Sequence, residues 1–193
     1  ELKKLGYIVD IKRVQRLMKQ AGIRSIIVKK FRPTSSKEVI VERENLLKQD
    51  FSMQNINEKW VGDITYIHTL RDGWCYLASV MDLHTRKIVG YSFSRTMTTD
   101  LITQALEYAY DTQKPDKGLI FHSDLGTQYT SDEFEKVINQ YRMTHSFSNK
   151  GNPSNNACIE SFHAILKQVE VNHVQYYDFN SANIALFKYI EGK

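Results

Sequence analysis

Three acidic residues occupy positions that local structure explains poorly. Asp63 lies inside the β-branched and aromatic run Trp60-Val61-Gly62-Asp63-Ile64-Thr65-Tyr66-Ile67, where an acid is disfavoured by strand propensity and costly to bury unpaired. Asp124 follows the apolar stretch Leu119-Ile120-Phe121 and precedes a glycine-containing loop, the place where open sheets put ligand-binding groups. Glu160 falls in the first turn or two of a segment with helical spacing and shares a face with His163 and Lys167, at i+3 and i+7. Singly, each has an ordinary role: an Asp paired to a Lys, an Asp closing a turn, a Glu favoured near a helix N-terminus by the dipole. Together they read as hard oxygen ligands from separate rigid elements. A magnesium or manganese ion needs such ligands while keeping its other positions for water and phosphate.

The elements that carry these acids are legible from periodicity. Residues 60–69, 74–83 and 87–93 are rich in β-branched and aromatic side chains, and Arg71-Asp72-Gly73 and His84-Thr85-Arg86 between them read as hairpin connections. Thr98 or Thr99 can cap a helix with Leu101, Ile102, Ala105, Leu106 and Ala109 on its apolar face, ending before Lys114-Pro115. A strand leads into Asp124, Thr130 with Glu133 suggests a capping box for a helix to about Tyr141, and residues 143–148 suit a fifth strand. After the polar loop 149–155, a helix over 156–170 is expected to bury Cys158, Ile159, Phe162, Ile165, Leu166 and Val169. A last helix is expected over 181–190. This order predicts an α/β fold: a mixed five-stranded sheet covered by helices on both faces.

Charge divides the chain unevenly. Residues 1–32 hold ten Lys or Arg against Glu1 and Asp10, while the remainder holds sixteen basic and twenty acidic residues, within a net charge of +4. A basic head thus precedes a mildly acidic body, as when a phosphate-binding element is joined to a domain that works through bound cations. In the head, Ile11, Val14, Leu17 and Met18 recur at helical spacing with Lys12, Arg13, Arg16 and Lys19 on the other sides, and Gly22 is a natural stop. Residues 29–58 are expected to be a linker, with a short helix near 38–47. No apolar run approaches the ~20 residues that span a bilayer, so a cytoplasmic location is expected. Cys75 and Cys158 have neither zinc-site spacing nor the number of a disulfide framework, and both are expected to be buried as small hydrophobes. The chain opens at Glu1 without Met and is expected to begin inside a larger protein.

The motif His122-Ser123-Asp124-Leu125-Gly126-Thr127-Gln128-Tyr129-Thr130-Ser131 is followed by Ser148-Asn149-Lys150-Gly151-Asn152-Pro153, Glu160-Ser161-Phe162 and Leu166-Lys167. With the run around Asp63 and with Asp82-Leu83-His84-Thr85-Arg86-Lys87-Ile88-Val89-Gly90, it closely resembles the IS-three group of insertion-sequence transposases. The thirty-five residues between Asp124 and Glu160 match the spacing of that group and of the similar retroviral integrases. The resemblance covers residues 57–192 or so and implies a ribonuclease-H-like catalytic core over 57–193. It places Asp63, Asp124 and Glu160 on an acidic triad that holds two Mg2+ ions, for which Mn2+ can substitute. The implied activity is cleavage and strand transfer of insertion-element DNA ends by a polynucleotidyl transferase. Implied partners are element-end and target DNA and further copies of the chain, in a bacterial cytoplasm at the nucleoid.

Other residues take roles within that frame. Lys167 could place an ammonium on a DNA phosphate or be a solvated surface lysine. His122 could orient the site from behind Asp124 or be a buried structural histidine. His163 is expected to pack or hydrogen-bond near the site rather than to be a ligand, because magnesium prefers oxygen. Ser123 and Ser161 are expected to support by hydrogen bonding, since no covalent protein intermediate is needed. The head, residues 1–32, resembles the end of a helix-turn-helix region, with Lys12, Arg13, Arg16 and Lys19 as DNA contacts; a solvated basic helix is the alternative. Residues 33–56 are then the linker. Two departures from the family pattern stand out: Asn155 where an aspartate is usual, and an end at Glu191-Gly192-Lys193 where a basic tail usually follows. These lead to the expectation of a folded core with poor end-specific joining. The rival readings are a non-catalytic DNA-binding regulator and a nuclease without strand transfer.

Overall fold

The computed structural model describes residue 6 and residues 10–23, 45–47, 55–148 and 156–192. The chain divides into two units, Glu1–Glu38 and Val39–Lys193.

In the first unit, α1 spans Ile11–Gln20 and none of its residues is buried. Its end is closed by the Gly22 N–H to the Lys19 carbonyl (3.2 Å) and the Ile23 N–H to the Met18 carbonyl (2.9 Å), with Gly22 at φ +69°. This pair of bonds satisfies carbonyls the helix cannot satisfy itself. Gly22 is therefore the stop that the sequence suggests. The short helix expected near 38–47 falls mostly outside the described residues; residues 45–47 are not helical.

The second unit is built on a five-stranded sheet in the order β3-β2-β1-β4-β5. Strands β1 (Lys59–Thr69), β2 (Gly73–Asp82) and β3 (Ile88–Ser94) form the expected antiparallel meander. The β2–β3 turn is organised by the buried Asp82, whose carboxylate accepts from the N–H and hydroxyl of Thr85 and from the Asn57 N–H. Helix α2 (Thr99–Gln113) then leads to β4 (Ile120–Ser123), α3 (Asp132–Gln140) and β5 (Thr144–Phe147). Both β1–β4 and β4–β5 pair in parallel. Helix α4 (Ala157–Leu166) continues into a π-helical turn, Lys167–Val171, and α5 spans Phe179–Glu191.

Strand alternation sorts the core onto two faces. Trp60, Ala78, Val80 and Phe121 meet α2 and α3 through Leu106, Ala109, Phe134 and Ile138. On the opposite face, Val61 and Met81 pack with Ile159, and Ile67 and Leu77 with Leu166 and Leu186. The mixed sheet with helices on both faces is thus the architecture the sequence implies, and the five residues expected on the apolar face of α2 are the five buried ones.

Three local expectations are corrected. The N-cap of α3 is Ser131, whose hydroxyl accepts from the Phe134 N–H, and not Thr130, whose hydroxyl donates to the Gly126 carbonyl. On α4 the buried residues are Ile159, His163 and Leu166, whereas Ile165 is 47% and Val169 is 56% exposed. The π-helical turn shifts the helical phase after Leu166, so Val169 leaves the stripe that a regular α-helix would give it. Cys75 is buried as expected, but Cys158 is only partly so and meets the Arg86 guanidinium.

Gly90 marks the closest approach of sheet and helix. A Cβ there would stand 2.3 Å from the Ala105 carbonyl oxygen and 2.6 Å from the Ala109 Cβ, so β3 and α2 could not keep their separation. Gly90→Ala should destabilise the fold by about 1–3 kcal/mol, the usual cost of forcing extra volume into a packed core. Urea denaturation should show this as a lowered midpoint at unchanged slope; a midpoint equal to the wild type would mean that the helix yields freely.

Candidate active site

The β1–β4 register brings two of the three acids level. Val61 lies opposite His122 in the last rung of this parallel pair, and two residues further on stand Asp63, still within β1, and Asp124, one residue past the end of β4. Two residues is one strand repeat, so both carboxylates lie on the face carrying Val61, the face that α4 covers. Asp63 also pairs with Ser79 on β2. Glu160 is in the first turn of α4, whose N-cap position is held by the buried Asn156.

The charges act on one another. Asp124 is exposed along one edge, yet the protein around its carboxyl raises its pKa to about 6; Asp63 and, more weakly, Glu160 add to the rise, against the Gly126 N–H donated to Oδ1 at 2.9 Å. Both acidic neighbours push the same way, so the upward direction holds even where the carboxyl meets solvent. The field of Asp63 and Asp124 also reaches two phenols. Burial, then both aspartates, holds Tyr129 well above the ordinary tyrosine range, and burial, Tyr76 and the same aspartates raise Tyr66.

Among the described residues, no three acidic, imidazole or thiol groups are drawn together into a finished cation cage. The donor set nevertheless fits a hard divalent cation: it is made of carboxylates from a strand, a strand end and a helix, and their mutual repulsion is the deficit that a cation would cancel.

Two histidines explain how the acids are held. His163 is 5% exposed and reaches from α4 to the sheet, with Nδ1 3.2 Å from Asp63 Oδ2 and Nε2 3.2 Å from Ser79 Oγ. Sequence reasoning placed it beside Glu160 as a packing or hydrogen-bonding residue, which these bonds bear out, but named neither Asp63 nor Ser79 as its partners. Ser123 donates to the Asp124 carbonyl at 3.0 Å and meets His145 Nε2 at 3.1 Å, while His145 Nδ1 lies 3.0 Å from Glu135 Oε2. The supporting role expected of Ser123 is therefore visible in its bonds.

His122 is fully buried, and its nitrogens meet Ser146 Oγ at 2.8 Å and Ser148 Oγ at 3.1 Å. Ser146 Oγ accepts from the Leu46 and Leu47 N–H groups, so its own hydrogen goes to His122 Nδ1 and leaves Nε2 to donate to Ser148. Burial, helped by His145, lowers the His122 pKa to about 4, in keeping with that neutral form. The imidazole pins β4 to β5 beneath Asp124. Lys167 is half-buried and opens the π-helical turn. Lys12, Arg13, Arg16 and Lys19 lie on α1, where no residue is buried, in the other unit. Asn155 lies outside the described residues.

The raised Asp124 pKa has a defined sign. An acid held at about 6 when folded, against an ordinary 3.8, leaves the folded state binding more protons between those values. Its contribution to stability is fully present below the lower value and is lost as pH rises through the upper one. In EDTA, wild-type stability should therefore fall relative to Asp124→Asn as pH rises from about 4 to about 6. Urea titrations at several pH values measure the difference, and parallel pH profiles for the two proteins would contradict it.

Residues 54–153 match the integrase core domain family. The chain is 36% identical over 192 residues to the transposase InsF for insertion sequence IS3A of Escherichia coli strain K12, covering 99% of this chain and 66% of that protein. It thus spans just under two thirds of the length of that curated relative. Among solved structures, the catalytic domain of Mos1 mariner transposase is similar with a TM-score of 0.60 at 14% identity, over 71% of each chain. The HTLV-2 integrase catalytic core domain, in complex with magnesium in a trimeric form, gives a TM-score of 0.52 at 20% identity, over 68% of this chain and 84% of that one. These two likenesses show the ribonuclease-H-like fold. With the family match extending over half its length and the identity to InsF over nearly all of it, the chain belongs to the integrase core domain family, in the IS-three (IS3) group of insertion-sequence transposases.

Proposed function

We propose that this chain carries the catalytic core of a DNA transposase that cleaves the ends of its insertion element and joins them to target DNA in the bacterial cytoplasm. The observation that carries the reading is the level placement of Asp63 and Asp124 on one face of the β1–β4 pair, with Glu160 near enough to raise the Asp124 pKa. The relative is a transposase by name, and a solved core of the same fold was captured with magnesium. Among the described residues no helix is long and apolar enough to cross a membrane.

In this reading Asp63, Asp124 and Glu160 hold two magnesium ions, with manganese as a substitute. Bound magnesium supplies Lewis-acid stabilisation of the attacking and leaving oxygens of a phosphodiester. The chain's own groups do the rest. The sheet fixes the two aspartates, and α4 presents Glu160 to the same face. Lys167, seven residues on, places its ammonium on a DNA phosphate, while His122 supports β4 from below. The nucleophile is water in cleavage and a DNA 3′-hydroxyl in joining. Residues 1–32 act as a DNA-binding head through Lys12, Arg13, Arg16 and Lys19, residues 33–56 as a linker and residues 57–193 as the core. Several copies assemble on the DNA, as the trimeric form of the HTLV-2 core suggests.

Asp63→Asn, Asp124→Asn and Glu160→Gln should each remove nearly all magnesium-dependent nicking and joining of labelled end-containing duplex while leaving the far-ultraviolet circular dichroism unchanged. Normal rates in two of the three would sink the triad assignment. Deleting residues 1–32 should weaken DNA binding and flatten its salt dependence by roughly 0.9 in the log–log slope for each phosphate that the head neutralises. An unchanged slope would show that the head does not touch DNA.

A further inference from the structure

We infer that His163 is a positioning residue that orients the Asp63 carboxylate for its cation, and that Ser79 anchors the far nitrogen of the ring and so holds the imidazole in place. This rests on the reading of Asp63 as a ligand. The imidazole is buried, stands one turn after Glu160 on α4, and bridges two adjacent strands through Asp63 Oδ2 and Ser79 Oγ, each at 3.2 Å. Asp63 and Ser79 are cross-strand partners in the β1–β2 register, so the ring spans one rung of the ladder.

The proton positions follow from the chemistry of the groups. A carboxylate can only accept, so His163 Nδ1 carries the hydrogen that meets Asp63. In the neutral ring Nε2 is then an acceptor, and the Ser79 hydroxyl, able to donate, completes the arrangement. Asp63 thus selects the tautomer, and Ser79 holds the ring at its other nitrogen.

Two consequences distinguish this from a bond that merely stitches a helix to a sheet. Oδ2 of Asp63 is committed to the imidazole, which fixes the rotation of the carboxylate and leaves Oδ1 to meet a cation. The side chain that does this belongs to the helix carrying Glu160, so the spacing of two ligands from different elements is set through one hydrogen bond. Partners that orient a metal ligand in this way typically matter roughly 10–100-fold in metal affinity.

The experiment measures Mn2+ binding to the whole chain by the electron paramagnetic resonance signal of the free ion, with thermal unfolding in EDTA run in parallel. Asp63→Asn is the control for the ligand assignment; if it binds Mn2+ as the wild type does, that assignment fails whatever His163 does. Given loss of binding in Asp63→Asn, His163→Leu should weaken Mn2+ binding by roughly 10–100-fold. His163→Asn, whose amide N–H can take the place of Nδ1–H, should recover most of that loss. Ser79→Ala should weaken binding severalfold. Wild-type affinity in a folded His163→Leu, or no recovery in His163→Asn, overturns the inference while leaving Asp63 a ligand. If His163→Leu does not fold, Ser79→Ala decides alone, and unchanged affinity there overturns it.

Discussion

The parallel pairing of β1 with β4 is the constraint from which the rest of the site follows. A parallel ladder keeps side chains at equal heights on neighbouring strands, only about 5 Å apart; here its rungs run to Val61 and His122, and Asp63 and Asp124 follow two residues on, near enough for Asp63 to raise the Asp124 pKa. Held that close, two carboxylates work against the fold that holds them. The features around them read as responses: a backbone N–H at Asp124, an imidazole at Asp63, and packed aromatic rings under the β1–β4 pair that keep the strands in place.

The responses differ in kind. At Asp124 the support comes mainly through the backbone, where Ser123 donates to its carbonyl and is itself held by His145 and Glu135. At Asp63 the support reaches the carboxylate itself, through His163. The result is one acid whose strand end is fixed while its head keeps a wet edge, and another whose head is fixed from the helix side. Such division keeps two like charges in place against their mutual repulsion, as the proposed cation-binding role would require.

Much of this was legible in the sequence because it depends on short-range pattern. Alternation and turn residues give the three-strand meander, and the spacing of Leu101, Ile102, Ala105, Leu106 and Ala109 gives the buried face of α2. The grouping of Asp63, Asp124 and Glu160 was suggested by residue type and motif; the mutual influence of the three charges on Asp124 became visible only in the structure. What could not be read was partnership. The buried stripe of α4 was misassigned because an apolar count prefers Ile165 and Val169 to His163, and nothing in one dimension shows that Asp63 and Ser79 satisfy an imidazole. Thr130 and Ser131 are equally good caps by composition, and the choice was made by the loop carbonyls that engage Thr130. The π-helical turn at Lys167–Val171 has no composition signal at all, yet it sets where every later side chain of that helix points.

The topology also sets an order of assembly. β1, β2 and β3 are neighbours in the chain joined by short turns, whereas Val61 meets His122, sixty-one residues later, only after α2 has crossed over. Pairings close in sequence form with little loop entropy to overcome, and distant parallel pairings come later. During synthesis, the meander with Asp63 is complete before Asp124 has been made, and α4 with Glu160 follows later still. On this order, the crowding of the three acids is expected in the last stage of folding rather than in its nucleus. An interaction absent from the rate-limiting ensemble governs how fast the native state opens rather than how fast it is reached, so changes to the acidic cluster are expected to alter the lifetime of the finished core, and changes to the meander the speed of its formation.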